Sequence, residues 1–205
     1  MNKFSNTNNI NLLFIVLSTV NIILLFVGMY YYPEPFKFWQ YPLSGIGATI
    51  TENGFPNNVA AYIYSIEMIF SGLIMLVIAY VFWGLKDRKY QKIKVFFSLL
   101  CALGFFISLF PTDTHDNFHV IGSIFMIGSL WTLEILLLND LKPYISKFNF
   151  LLCQVFLHAP VITYAITYFT VSSVRQITQK FAIYGLLLLL PLTTIFLKYL
   201  KTKVE

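Results

Sequence analysis

Long apolar runs alternate with short polar breaks along this chain. Six runs approach or reach the roughly 20 mostly apolar residues that a membrane-crossing helix needs. They lie at about 10–32, 58–85, 94–110, 118–138, 148–171 and 181–200. The third is the shortest and has room to extend backward through Ile93. No linker, charge block or separate polar region lies between them. The pattern therefore predicts one integral membrane domain over 1–205: an all-α, polytopic bundle of six transmembrane helices.

The breaks differ in character. The longest, Pro33–Asn57, carries helix-ending prolines at 33, 35 and 42. It also holds Phe36, Phe38, Trp39 and Tyr41, which predict a segment lying in the membrane interface. Asn57 or Asn58 is placed to cap the second helix. The second break, Phe110–His119, reads F-P-T-D-T-H-D-N-F-H and gathers Asp113, His115, Asp116 and His119. The third, Ser172–Lys180, is short and polar.

Composition strengthens the membrane assignment. The chain is 58% hydrophobic and 11% charged, against about 25% charged in soluble domains. The first run is too long for a signal peptide's apolar core and no A-x-A site follows it, so it is expected to persist as the first helix. Both cysteines, Cys101 and Cys153, fall inside apolar runs, so no disulfide framework is expected.

A net charge of +5 raises the question of a nucleic-acid partner, and its distribution answers it. With the N-terminus inside, the inner segments hold Lys3; Lys86, Arg88, Lys89, Lys92 and Lys94; Lys142 and Lys147; and Lys198, Lys201 and Lys203. The outer ones hold only Lys37, Arg175 and Lys180, which completes the 14 basic residues. This asymmetry predicts that both termini are cytoplasmic. No nucleic-acid partner is expected. The Lys86–Lys94 cluster is expected against anionic headgroups, making membrane lipid a partner.

Candidate chemistry concentrates in two places. In the second break, His115 and His119 share a helix face if the fourth helix starts near Asp116. Asp113 adds an oxygen, and the three together form a candidate metal or ligand site. The alternative is structural: Asp116 or Asn117 caps the helix, Asp113 meets its positive end, and the histidines sit at headgroup level. The second place is the membrane interior. Glu67 and His158 each lie about ten residues into a helix, roughly 15 Å deep, with Asn21 at a similar depth. A lone carboxylate there costs at least about 2.5–3.5 kcal/mol, so Glu67 is expected to be neutral or paired, with His158 and Asn21 as natural partners. Pro160 is expected to free the Phe156 carbonyl and open a polar pocket. Glu134 is expected near the inner interface or the inner lysines. Ser44, flanked by Gly45 and Gly47, is the candidate nucleophile, although L-S-G-I-G lacks a G-x-S-x-G elbow.

Leu43, Ser44, Gly47 and Asn57 or Asn58, followed by Phe110, Pro111, Asp113 and His119, form an outer L-S-x-x-G segment and an F-P-x-D…H segment. In these the chain resembles the domain-of-unknown-function 998 membrane proteins over about residues 10–200. The resemblance implies a six-helix bundle in a prokaryotic cell (inner) membrane and carries no assigned activity. A remoter similarity is to membrane hydrolases of the ceramidase and progestin-receptor-like group, which hold zinc with Ser, Asp and His. Their seven-helix plan and late histidines are missing here.

The sequence thus predicts an outward-facing polar pocket bounded by Ser44–Asn58 and Asp113–His119, deepening toward Glu67 and His158. Its ligand-binding candidates are Ser44, Asn58, Asp113, His115, Asp116, His119, Glu67 and His158. Binding of a lipid or other small amphiphile is the leading expectation. A metal-dependent membrane hydrolase and a proton-coupled carrier are the alternatives. No catalytic residue, metal or cofactor is assigned.

Overall fold

The computed structural model describes residues 3–85 and 89–204, with side chains for 9–85 and 89–199. Lys86 and Arg88 of the basic cluster, and the side chains of Lys3, Lys201 and Lys203, lie outside the described residues. Six long helices form: α1 Lys3–Tyr30, α2 Asn58–Gly84, α3 Gln91–Ile107, α4 Asp116–Leu141, α5 Lys147–Phe169 and α6 Arg175–Val204. There is no strand among the described residues, only an isolated bridge between Ile50 and Pro56. Helices are the expected answer where lipid offers the backbone no partners. Five of them are long and apolar enough to cross a membrane. The exception is α3, whose 17 residues extend about 25 Å at 1.5 Å each.

Helix ends depart from the apolar pattern where local chemistry intervenes. Position 110 precedes Pro111, which disfavours helical backbone there, and α3 stops at Ile107. It starts earlier than its apolar run, at Gln91, after Tyr90 turns the chain at φ 59°. Two helices start well before their runs: α1 at Lys3 rather than Ile10, and α6 at Arg175 rather than Phe181. The predicted polar loop Ser172–Lys180 is therefore mostly helix.

The helices are arranged as a ring. Contacts run α1–α2, α2–α3, α3–α4, α4–α6 and α6–α1, and α5 packs outside on α4 and α6. Only 11% of the apolar window of α5 is buried. The tightest crossing joins α3 to α4. A Cβ on Gly104 would lie 2.5 Å from the Met126 backbone nitrogen, and one on Gly122 would lie 2.7 Å from that of Ser108. Small residues of this kind let helix backbones touch inside a membrane, where packing and polar contacts replace the hydrophobic effect.

One end of the ring carries the segments 31–57, 108–115 and 170–174. The other is tied by Lys94 of α3, whose Nζ meets the Asp140 carboxylate of α4 at 2.5 Å and lies 5.9 Å from the Phe82 ring centre. Lys94 is thus buried in the bundle rather than laid on headgroups. Both cysteines are free.

Candidate functional site

The segment 31–57 folds over its end of the ring as a pinned cover. Its centre is a 3-10 turn, Leu43–Gly47. Gly47 rests on the Tyr64 ring, where a Cβ would come within 2.4 Å of the ring carbons. Three elements hold the cover down. From the α3–α4 connection, Asp113 accepts hydrogen bonds from the Thr49 hydroxyl, the Thr49 amide at 3.0 Å and the Ile50 amide at 3.1 Å. Partial burial opposes charge on Asp113, but the Thr49 and Ile50 donors outweigh it and hold the carboxyl below its ordinary value. From α2, Asn57 donates to the carbonyls of Ile46 and Ala48 at 2.9 and 2.8 Å. From α6, Gln179 accepts from the Leu43 amide at 2.9 Å, and Lys180 donates to the Tyr41 carbonyl at 2.6 Å.

Beneath the turn lies an internal cavity, and each helix of the ring contributes to its wall. Asn21 comes from α1, Tyr64 and Glu67 from α2, Phe105 from α3, His119 and Ser123 from α4, and Gln179 from α6, with Ser44 in the roof. The space inside is about 40 Å³, room for about three water molecules. Glu67 is 1% exposed, and its Oε2 has no hydrogen-bond partner among the described residues. His119 is also buried. Its Nδ1 sits 3.1 Å from the Phe110 carbonyl, which can only accept, so Nδ1 carries the proton. In the neutral ring Nε2 is then an acceptor, and it too lacks a partner among the described residues. Native proteins rarely bury polar atoms unmatched, so two of them on residues that line one cavity ask for an explanation.

The predicted site residues separate into groups. Ser44, Glu67 and His119 share the cavity. Asp113 belongs instead to an open groove of about 440 Å³ outside the cover, lined also by Tyr32, Thr49, Thr51 and Glu52. Its hydrogen bonds go to the cover, to Thr49 and Ile50. Burial and the nearby Glu34 push the Tyr32 hydroxyl in this groove up to about 12. His115 is the N-cap residue of α4 and lies exposed against Phe110, with Thr114 Oγ1 2.8 Å from its Nδ1. Asp116 is exposed in the first turn. Asn58 is exposed at the start of α2, and its buried neighbour Asn57 does the structural work. Asn57 stands at the N-cap position, but its side chain fastens the cover instead of capping the helix.

His158 and Glu67 do not pair. His158 is on α5, outside the ring, where Trp131 donates to its Nδ1 at 3.0 Å and Gln154 Oε1 lies 2.6 Å from its Nε2. Both nitrogens are matched, so this is a satisfied packing histidine. The helix continues through Pro160. The groove nearby is apolar, lined by Trp131, Val161 and Phe169 among others. Asn21 reaches the cavity but spends its amide on Ser71 Oγ and the Leu17 carbonyl, both at 2.7 Å. Glu134 is fully buried and takes the Thr193 hydroxyl, not an inner lysine. Among the described residues no three His, Cys, Asp or Glu side chains stand close enough to hold a metal ion.

Contributors that the sequence reading did not foresee include Tyr64, Phe105, Ser123, Gln179 and Lys180. Ser123 had a signal, because it follows His119 by four on a stripe that continues through Met126 and Leu130. Gln179 and Lys180 were hidden by their placement in a loop. Lys180 is 2% exposed, with its ammonium on two carbonyls and 5.2 Å from the Phe38 ring centre. Compared with protein-family models, curated proteins and solved structures, the chain has no match in any of the three.

Proposed function

We propose that this chain binds a small amphiphilic molecule in the cavity under the 43–47 turn, as an integral membrane protein with six spans. The observation that carries this reading is Glu67: a carboxyl group deep in an apolar bundle, on a residue that lines the cavity, with Oε2 unmatched. An intramembrane carboxyl of this kind is expensive and usually has a task. The lining supports an amphiphile, since Leu25, Leu43, Met68, Phe105 and Leu130 surround a few polar groups.

The α3 helix counts as the sixth span in this proposal. Its 17 residues sit at the lower limit for crossing, and the turn through 108–110 lengthens it. The lysine and arginine asymmetry supports both termini being cytoplasmic, with the cover on the outer face. The resemblance to the domain-of-unknown-function 998 proteins supports a prokaryotic inner membrane. Its two motif segments, far apart in sequence, meet where Asp113 binds Thr49 and where Ser44 and His119 face one cavity.

Native mass spectrometry of gently purified protein tests the proposal. The expected result is a retained small-molecule adduct that diminishes in Glu67→Gln and in His119→Ala. Wild-type protein that carries no adduct, even from lipid-supplemented extracts, overturns it.

A further inference from the structure

We propose that the cavity selects a small organic cation, a primary ammonium on a short apolar body, with Glu67 as its counter-charge. This rests on the ligand-cavity reading above and names the ligand's class. The first argument is charge. The cavity wall holds one carboxyl group and no lysine or arginine. Lys180 of α6, next to the cavity-lining Gln179, is committed to the carbonyls of Tyr41 and Gln176 at 2.6 and 3.0 Å. An anion would face Glu67 with nothing to offset the repulsion. A neutral ligand would leave no charge to pair with the carboxylate. A cation supplies the missing partner, and in a low-dielectric interior that pairing outweighs what the same contact gives in water.

The second argument is hydrogen-bond type. Two residues that line the cavity each carry an unmatched buried atom, Glu67 Oε2 and His119 Nε2, and both atoms accept when Glu67 is ionised and the imidazole is neutral. An ammonium brings three donors and no acceptor. The Ser44 hydroxyl in the roof offers a third acceptor. The third argument is the aromatic wall. Tyr64 and Phe105 line the cavity, and ring faces attract cations more strongly once water is excluded. Titratable neighbours of Glu67 do not compete for this role. Tyr64 on its own helix and Tyr184 on α6 lie within its electrostatic reach, and His119 faces the cavity from α4. From α1, α3 and the turn come Asn21, Phe105 and Ser44, which do not titrate in the physiological range. Size sets the scale: space for about three waters suits an ammonium with two or three carbons.

The test uses the full chain in detergent and three probes of matched size: n-propylammonium, 1-propanol and propionate, at constant ionic strength. The expected result is a saturable rise in Tm of several degrees with n-propylammonium alone. That rise disappears in Glu67→Gln, and in Ser123→Leu, which fills the cavity without changing its charge. It survives in Glu134→Gln, which neutralises the other buried carboxyl. Each variant is first shown to be monodisperse, and Ser123→Leu carries the test if Glu67→Gln does not fold. An equal response to 1-propanol or propionate, or an ammonium response that persists in Glu67→Gln, overturns the cation class and leaves the ligand cavity standing. A retained ligand that proves neutral or anionic does the same. Silence from all three probes, with no adduct in native mass spectrometry, makes this a water-filled void and overturns both.

Discussion

The two ends of the bundle bury ionisable groups in different ways. At one end, Lys94 and Asp140 meet across α3 and α4 and satisfy each other. Under the cover at the other, Glu67 faces a cavity with Oε2 unmatched. A matched pair clamps helices together, and removing one partner strands the other. An unmatched group does little for packing, so its retention is explained by what it meets. Under the proposed function, the contrast separates a structural use of an ionisable group from a ligand-binding one within the same ring of helices.

The largest expected effect falls on the spine that both ends share. Gly104→Val drives side-chain atoms into the Met126 backbone, which cannot yield as a side chain tip can. A loss of about 3 kcal/mol or more is expected from overpacking at a backbone contact, seen as a collapse in the yield of monodisperse protein. Near-normal yield would mean that the α3–α4 crossing is looser than the glycines require.

The clamp comes next. Lys94→Met leaves Asp140 near an apolar contact without its partner. Asp140 keeps some solvent exposure, so about 2 kcal/mol is expected rather than the fully buried figure. Adding Asp140→Leu should restore most of the lost Tm, and a double-mutant cycle measures the coupling. The third prediction sets Glu67→Gln against it: stability within about 1 kcal/mol of wild type, because no matched protein partner of Oε2 is lost, while the ligand adduct disappears. If Glu67→Gln cost as much as Lys94→Met, the contrast between the two ends would fail.

The smallest effect concerns the cover. Asp113→Asn weakens the hold on Thr49 and Ile50 by under about 1 kcal/mol, since the contact is exposed. Faster amide exchange at Thr49 and Ile50, with α2 and α4 unchanged, is the readout. The pH sign follows from the lowered value of Asp113. Its contribution is complete above the ordinary aspartate value and is lost as pH falls through the lowered one. Acidification should therefore loosen the cover in wild type and change little further in Asp113→Asn.

Much of this architecture was legible in the apolar pattern. Each of the six helices overlaps one predicted run, with the starts of α1 and α6 well before theirs, and Ser44, Glu67 and His119 stand out as candidates from the sequence alone. The pairing of Glu67 with His158 was wrong because depth along a helix says nothing about which helices are neighbours. His158 has the right depth but sits on α5, outside the ring. Asp113 and His119 lie six apart in one polar break, yet the first fastens the cover from outside while the second lines the cavity beneath it. The sequence places Glu134 near the inner interface or the inner lysines, but it is buried and takes the Thr193 hydroxyl.

The sequence by itself determined where the chain becomes helical, because lipid forces each spanning backbone to satisfy its own hydrogen bonds and so ties structure to local apolarity. It also determined where polar groups are scarce enough to matter. Only the tertiary structure decided which of those groups meet. In a membrane protein the lipid-facing side is as apolar as the core, so periodicity does not reveal which way a helix faces. The order and rotation of the helices settle that through close contacts such as Gly104 on Met126 and Gly47 on Tyr64.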